Sequence, residues 1–475
     1  MSKSIILIAT LCLLVNTPGR ADAPGTGSKG IEMLPDMAEG LPIALVYVHL
    51  EKSTGDLTRD EEIKKQVAEA FSMEPGDLFR PLVVEMGLKR VRKLPSIQAA
   101  QYRVYEAVPS GQTVVVIFIT PLPVGTEAPT KPSGMLISRQ IRDFPTFFEN
   151  DRSKFVFILN GGAGIYTDSN PWFGGYGALF NKNSPISKDP LGPGTSTWVE
   201  GYLEPGVGGI FQLGDYPLYP YGAATYLVSG THGHDIYNSG NWGHGEIERL
   251  YGGFIYDLPG KGNVFDFSAG KQIYQLRDGF LLSKIPVSTQ VGERAALYLG
   301  PRLASQYTLL GRLRLLGVGL DAFMIEPSEP EVIETHTRLF GANLQYRFQN
   351  VDAAFTYFYI IGSDSVYRVP GGRQLSREGL RTFNPSLSMT DLLGLEGLWF
   401  KGEYAYQNHE DFSMAAHAGY AWGQEVTFTT YCYIGRHLFV QGIGSAGIPG
   451  EAIKQAVGGS AKTWYTLQAS LYFFF

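Results

Sequence analysis

Tyr465-Thr466-Leu467-Gln468-Ala469-Ser470-Leu471-Tyr472-Phe473-Phe474-Phe475 closes the chain, and its reading decides the fold. Every second residue is apolar: Tyr465, Leu467, Ala469, Leu471, Phe473 and Phe475. Thr466, Gln468 and Ser470 occupy the alternate positions. A period of two places one set of side chains on each face of a strand, and this partition suits a strand with one face in lipid and the other in a polar interior.

Upstream segments repeat the pattern. Leu398, Phe400, Gly402, Tyr404 and Tyr406 alternate with Trp399, Lys401, Glu403, Ala405 and Gln407, so the charges share one side. Val426, Phe428, Thr430, Cys432 and Ile434 alternate with Thr427, Thr429, Tyr431 and Tyr433, and Ala342, Leu344 and Tyr346 with Asn343, Gln345 and Arg347. Composition narrows the options. Charged residues are 18% of the chain, where a soluble protein carries roughly 25%, while 58 glycines, 27 tyrosines and 28 phenylalanines enrich turns and strand ends. No window past the N-terminus has the roughly 18 consecutive apolar residues of a spanning helix, which excludes a polytopic helical membrane protein. The reading is an all-β transmembrane β-barrel over residues 155–475. At about 20 residues per strand and loop this gives about 16 antiparallel strands, an even number. Leu309 to Ile325 does not keep one register, and a bulge near Gly311 or Gly317 would reconcile it.

The barrel is preceded by other material. Met1 to Ala23 has Lys3, an apolar run from Ile5 to Val15 and then small residues, the make-up of a secretory signal peptide. Residues 41–122 read as a small α/β unit of order β-α-α-β-β. Its first strand is Ile43 to His49. A helix capped by Thr58 and Glu61 follows, with Ile63, Val67, Ala70 and Phe71 on one face. A second helix runs from about Arg80 to Lys93, with Leu82, Met86 and Val91 inward; Lys89, Arg90, Arg92 and Lys93 are expected to complement its dipole on a solvated face. Two strands, Ile97 to Val108 and Thr113 to Pro121, close the unit. Residues 123–154 read as a linker in which Leu136 to Phe148 forms a surface turn or a short helix.

The β-α-α-β-β order, with Gly76-Asp77-x-Phe79 between the helices and Leu94-Pro95-Ser96-Ile97 before the second strand, resembles a POTRA domain, the periplasmic module of outer-membrane secretion and assembly proteins. The terminal Phe475 with Phe473, together with Tyr465, Leu467 and Leu471, resembles the signal by which bacterial outer-membrane barrels are inserted. Glu246 to Tyr256, Phe265 to Phe280 and Glu403-Tyr404-Ala405-Tyr406-Gln407 look like alginate-export-type outer-membrane porins. That last resemblance implies a basic lumen passing an acidic polysaccharide outward. A POTRA-like domain is more typical of two-partner secretion transporters and Omp85 assembly proteins. Their Val-Arg-Gly-Tyr/Phe motif has only a distant echo here, in Leu276-Arg277-Asp278-Gly279-Phe280.

Expected channel-lining residues are Arg277, Arg312, Arg314, Arg338, Arg347, Lys401, Glu403 and Arg436, beside Asp266 and Asp278. Guanidinium groups on a wet wall attract carboxylates and phosphates by field and by bidentate hydrogen bonds. The alternative is that these charges pair and stiffen the wall. His232, His234, Asp235, His244 and Glu246 lie in a Gly/Asn-rich loop without the helical spacing that presets metal ligands, and read as polar loop residues. Gly442 to Gly447 spells G-x-G-x-x-G with no βαβ unit around it. Net charge −6 gives no basic field for a nucleic acid. The expectation is a channel in the outer membrane of a Gram-negative bacterium, with residues 24–150 periplasmic and no cofactor. Its partners would be outer-membrane lipids, the barrel-insertion machinery and a periplasmic export partner docked on the small domain. Around Ser445 the first Gly of a nucleophile elbow is missing; polypeptide transport is the first alternative, and a barrel-embedded enzyme using a barrel-wall Ser and a His such as His417 the second.

Overall fold

The computed structural model describes residues 32–33, 35–107, 112–123, 134–137, 146–169, 195–233, 241–258, 263–277, 279, 281–283, 296, 299–329, 335–348, 350–364, 366–368, 374–389, 398–408, 412–422, 426–435 and 465–474. Met1 to Ala23, His234, Asp235, Asp278, Arg436, Gly442 to Gly447 and Phe475, all named above, lie outside them.

The small unit comprises β1 (Glu32–Met33), α1 (Pro35–Ala38), β2 (Ile43–Leu50), α2 (Leu57–Phe71), α3 (Pro81–Arg92), β3 (Ile97–Glu106) and β4 (Thr113–Pro121). Its sheet has the order β1-β3-β4-β2, with β2 parallel to β4 and the other pairs antiparallel. Ile63, Val67 and Phe71 of α2 and Val84, Leu88 and Val91 of α3 pack with Phe79 on Ile43, Val115 and Ile117 of the sheet. The α2 N-cap is Asp56, whose carboxylate accepts from the Thr58 and Arg59 amides, so the cap sits two residues before the expected Thr58. Pro81 opens α3, where its missing N–H costs nothing. Gly87 lets the helices touch: a Cβ there would stand 2.7 Å from the Phe71 carbonyl.

The second sheet contains β5 (Gly134–Ile137), β6 (Thr146–Glu149), β7 (Ser153–Ser169), β8 (Thr195–Phe211), β9 (Leu218–Gly233), β10 (Trp242–Asp257) and β11 (Val264–Gln272). It continues through β12 (Ser305–Leu315), β13 (Val318–Glu326), β14 (Arg338–Phe348) and β15 (Val351–Gly362), passes over a separate hairpin of β16 (Val366–Arg368) and β17 (Gln374–Ser376), and resumes at β18 (Arg381–Met389), β19 (Leu398–Asn408), β20 (Phe412–Trp422), β21 (Val426–Gly435) and β22 (Tyr465–Phe474). Sixteen strands among the described residues belong to this sheet, all antiparallel to their neighbours. Consecutive strands pair from β5 to β15 and from β18 to β21, β15 pairs with β18, and β22 returns to pair with β7.

Two local readings are corrected. Leu309 to Ile325 contains a hairpin, not a bulge. Leu316 (φ 53°) and Gly317 (φ 79°) make the two-residue turn between β12 and β13, with the positive φ angles whose twist matches flanking strands. Reversing the chain there puts Arg312 and Arg314 inside while Val318 and Leu320 face out. Leu136 to Phe148 holds no described helix; β5 and β6 form a hairpin there, and β6 pairs with the Lys154–Val156 end of β7, below the stretch that β22 occupies.

Candidate functional site

The long sheet is inverted in polarity relative to a soluble protein. Alternate residues of β7–β10 and β14 present Ile165, Val199, Leu203, Val228, Leu250 and Leu344 outward, each 42–54% exposed. The enclosed face carries Glu200, Glu204, Arg312, Asp321, Lys401 and Glu403, each 7% exposed or less. An apolar outer belt of this extent is stable only against hydrocarbon, and antiparallel pairing from strand to strand, with β22 returning to β7, satisfies the backbone there. The chain folds as an outer-membrane β-barrel.

No protein-family model matches the sequence, and no curated protein matches it. The barrel is similar to solved structures at low identity. Salmonella typhi OmpF in complex with daunomycin is 10% identical with a TM-score of 0.27, over 69% of this chain and 99% of that one. CdiB from Acinetobacter baumannii is 9% identical with a TM-score of 0.25, over 98% and 81%. BamA from Haemophilus ducreyi lacking POTRA domains 1–3 is 8% identical with a TM-score of 0.25, over 90% and 85%.

The small unit reaches into the lumen from the end where the turns are short. Glu39, just after α1, goes deepest. Its carboxylate accepts from Arg249 Nη1 at 2.5 Å and from the Tyr251 hydroxyl at 3.1 Å. Arg249 lies eight residues above the inner end of β10, roughly 27 Å of strand at 3.4 Å per residue. A bulge puts it there: the register of β10 on β9 shifts between Ile247 and Arg249, so Glu248 and Arg249 both turn inward. Arg249 Nε also stands 3.1 Å from Glu204 on the wall.

One level lower, Arg80 at the start of α3 meets the acidic side of the barrel. Its guanidinium donates to Asp266 (3.0 Å), Ser268 (2.9 Å) and Gln272 (3.3 Å), and to the Tyr221 hydroxyl, which itself donates to Asp266 at 2.7 Å. Leu82 and Met86 pack on Val156, Ile158, Ile210 and Tyr219 of the wall. Gly208 makes room, since a Cβ there would stand 3.1 Å from Leu82. At the rim Lys154 pairs with Glu85 at 2.7 Å and Arg90 with Asp257 at 3.3 Å. Lys89 donates to the carbonyls of Asn150 and Ser153. Burial pushes its ammonium down to about 8, against the pull of Glu149 at 3.8 Å. The basic end of α3 is therefore docked on the barrel, a correction to its expected solvated face.

On the next strand the wall turns basic, Arg312 standing directly opposite Asp266 in the β11–β12 ladder. Arg312 and Arg314 on β12 share Asp321 of β13 at 3.1 and 2.9 Å, and both donate to the Gly76 carbonyl, at 2.7 and 3.0 Å. The Asp77 carboxylate approaches Arg314 Nε at 3.5 Å and Arg312 Nη2 at 4.0 Å. Arg347 bridges Asp352 (3.0 Å) and the Ala44 carbonyl (3.1 Å). Arg277 stands on the segment after β11, which crosses the lumen rather than forming wall; it reaches Asp352 at 3.3 Å and Glu403 at 3.8 Å, and Glu403 also pairs with Lys401 at 3.0 Å. Toward β7–β10 carboxylates dominate instead, with Glu200, Glu204, Glu246 and Glu248 on the enclosed face.

Described residues between β11 and β12 pack on the enclosed face of the outer half. Ala296 and Leu299 pack on Tyr166 and Trp198, the Leu299 amide donates to Glu200, the Leu303 and Ala304 amides donate to Glu248, and Arg302 pairs with Glu246 at 2.6 Å.

Of the expected lining residues, Arg277, Arg312, Arg314, Arg347, Lys401 and Glu403 come together inside the barrel, in ion pairs. Arg338 does not. It sits at the outer end of β14, where the register on β15 shifts, with its side chain 53% exposed and paired to Glu326 at 2.9 Å; the shift leaves Leu339 as the first inward residue. Arg436 lies outside the described residues. Tyr465, Leu467, Leu471 and Phe473 fall on β22, opposite Ser169, Thr167, Ala163 and Gly161 of β7. His232 and His244 stand on β9 and β10 rather than in a loop, and His244 is 3.7 Å from Glu246. No group of three metal-ligating side chains occurs among the described residues. Sequence reasoning missed Glu39, Asp77, Arg80 and Arg249. Strict alternation along β10 points Arg249 to lipid, and nothing local to Glu39 or Asp77 marks a lumen contact.

Proposed function

We propose that this protein is an outer-membrane channel exporting an acidic polymer, a polysaccharide of uronate type being the best match, with the POTRA-like domain as its inner-side regulator and docking module. The observation that supports the reading is the asymmetry of the lumen. Among the described residues, the cations Arg277, Arg312, Arg314, Arg347 and Lys401 on the β12–β19 side pair with three barrel carboxylates, Asp321, Asp352 and Glu403, and with Asp77 of the small domain. A residual positive field along one wall guides a polyanion without holding it, because the neighbouring carboxylates keep each contact weak.

The test is single-channel recording on the reconstituted protein. Opened channels should favour anions and be blocked by oligouronates and not by neutral oligosaccharides of equal length. Cation preference, or indifference to oligouronate, overturns the reading.

Polypeptide secretion or assembly is the second reading. The order β-α-α-β-β directly before the barrel favours it, as does the crossing segment that brings Arg277 to Asp352 and Glu403. Blockade by an unfolded polypeptide and not by oligouronate selects it.

A further inference from the structure

On β12 and β14, as at Glu39, the contacts of the small domain share a chemistry: the domain offers oxygen and the wall offers guanidinium. Arg312 and Arg314 each take the Gly76 carbonyl and face the Asp77 carboxylate, Arg347 takes the Ala44 carbonyl, and Arg249 takes Glu39. The Gly76–Asp77 turn is built to present these oxygens. Gly76 has φ +96°, which a side chain rarely adopts, and its amide donates to Ile43 while the Ile43 amide donates to the Asp77 carbonyl, both at 2.7 Å. Asp77 Oδ2 is held by the Glu74 amide at 2.9 Å, which leaves Oδ1 turned to the two arginines. Empty space flanks the turn on both sides. A narrow cleft open to solvent is lined by Asp77, Arg312 and Arg314, and a second by Gly76, Arg312 and Arg347.

Building on the channel reading above, we propose that Arg312, Arg314 and Arg347 form a binding site for the acidic groups of the cargo, and that Asp77 with the Gly76 and Ala44 carbonyls occupies it as an intramolecular stand-in. Cargo and domain compete for the same guanidinium groups, so cargo binding and withdrawal of the domain are one event. Two arginines sharing one wall carboxylate make the exchange feasible, because the pair always has charge left for a second anion. Both clefts open to solvent, so an arriving carboxylate approaches the guanidinium groups from beside Asp77.

The experiment measures binding of a fluorescein-labelled oligogalacturonate to the full-length protein in detergent, with a labelled neutral oligosaccharide as control. Removing the competitor should tighten binding: Asp77→Asn, nearly isosteric, is expected to bind the oligouronate about tenfold more tightly than wild type. Adding Arg312→Gln and Arg314→Gln, or Arg347→Gln alone should that pair not fold, is expected to abolish the gain. A lock tests the coupling. A Cβ at Gly208 on the wall would lie 3.1 Å from Leu82 Cδ1 of α3 and no nearer than 3.5 Å to any backbone atom, which brings Gly208→Cys and Leu82→Cys within reach of a disulfide in a Cys432→Ser background. The oxidised protein should bind at least tenfold more weakly than the same protein reduced.

Unchanged or weaker binding by Asp77→Asn overturns the stand-in, and equal binding by oxidised and reduced forms overturns the coupling. Should neither oligomer bind any form while Asp77→Asn still raises basal conductance and oxidation still abolishes it, the acidic-cargo reading falls and the ligand assignment with it, but the domain is shown to be the gate. Separate readouts thus distinguish the two failures.

Discussion

Arg80→Met should release the small domain from the barrel. Arg80 is 5% exposed and satisfies Asp266, Ser268 and Gln272 across the interface, with its guanidinium carbon 5.1 Å from the Tyr221 ring centre. Methionine keeps the length of the stem and removes the charge, leaving Asp266, whose side chain is 13% exposed, without its cation in the docked state. Removing one partner of a buried pair costs about 3–5 kcal/mol, because the survivor keeps its desolvation penalty. At about 1.4 kcal/mol per factor of ten, the docked-to-undocked ratio falls by roughly two to four powers of ten. Hydrogen exchange on the detergent-solubilised protein reads this directly: the α3 amides should exchange faster by a similar factor while those of β13 and β14 do not change. Arg80→Met with Asp266→Leu should recover most of the loss, since no charge is then stranded. Exchange in α3 within twofold of wild type, or a double variant no better than the single, would refute the claim that this pair holds the domain in place.

Raising pH should tighten docking through Lys89. Its ordinary value is 10.5 and burial lowers it to about 8, so between those values the undocked form binds a proton that the docked form lacks, and stability rises with pH across that window. The thermal midpoint should climb from pH 8 to 10 in wild type and climb less in Lys89→Met. Gly87→Val forces a side chain against the Phe71 carbonyl and should destabilise the small domain by about 1–3 kcal/mol, read as a lower midpoint for its exchange-protected core. Leu316→Asn should stabilise the β12–β13 hairpin by roughly 0.5–1 kcal/mol: Leu316 is 88% exposed at φ 53°, a conformation Asn tolerates, and a higher denaturant midpoint checks it.

The elements with strong periodicity were legible in the sequence, because a period of two needs no knowledge of neighbours. Tyr465 to Phe474 is the strand that alternation requires, and Lys401 and Glu403 share the enclosed face to which their spacing assigns them. The β-α-α-β-β order was legible for the same reason, since Ile63, Val67 and Phe71 repeat at helical spacing and are buried. What escaped depends on departures from period. The bulge at Glu248 inverts the face of Arg249, and the two-residue turn at Leu316–Gly317 looks like continuous strand because Leu316 and Val318 are both apolar. Docking was illegible on different grounds. Lys89, Arg90 and Glu85 have the composition of a solvated helix face, and only the three-dimensional match to Asn150, Asp257 and Lys154 removes them from water.

That match also explains how one domain finds one orientation in a wide barrel and can still leave it. Its apolar grip rests on three side chains: Leu82 and Met86 against Val156, Ile158 and Ile210, and Leu78 in the cluster of Tyr274, Leu310 and Phe323, worth roughly 1.5–3 kcal/mol for each buried side chain. Charges supply the register. Arg90 faces Asp257, Arg80 faces Asp266, and Asp77 faces Arg312 and Arg314, on the successive strands β10, β11 and β12. Asp266, Arg312 and Asp321 follow one another on β11, β12 and β13, so turning the domain by a single strand would set Arg80 toward Arg312 and Asp77 toward Asp321, and like charges brought together in this way cost several kcal/mol. Pairs of this kind fix orientation more than they add affinity, because each surrenders its hydration on docking. A plug held mainly by apolar area would be permanent. One held by a small apolar contact and by guanidinium groups that another anion can claim is removable by its competitor.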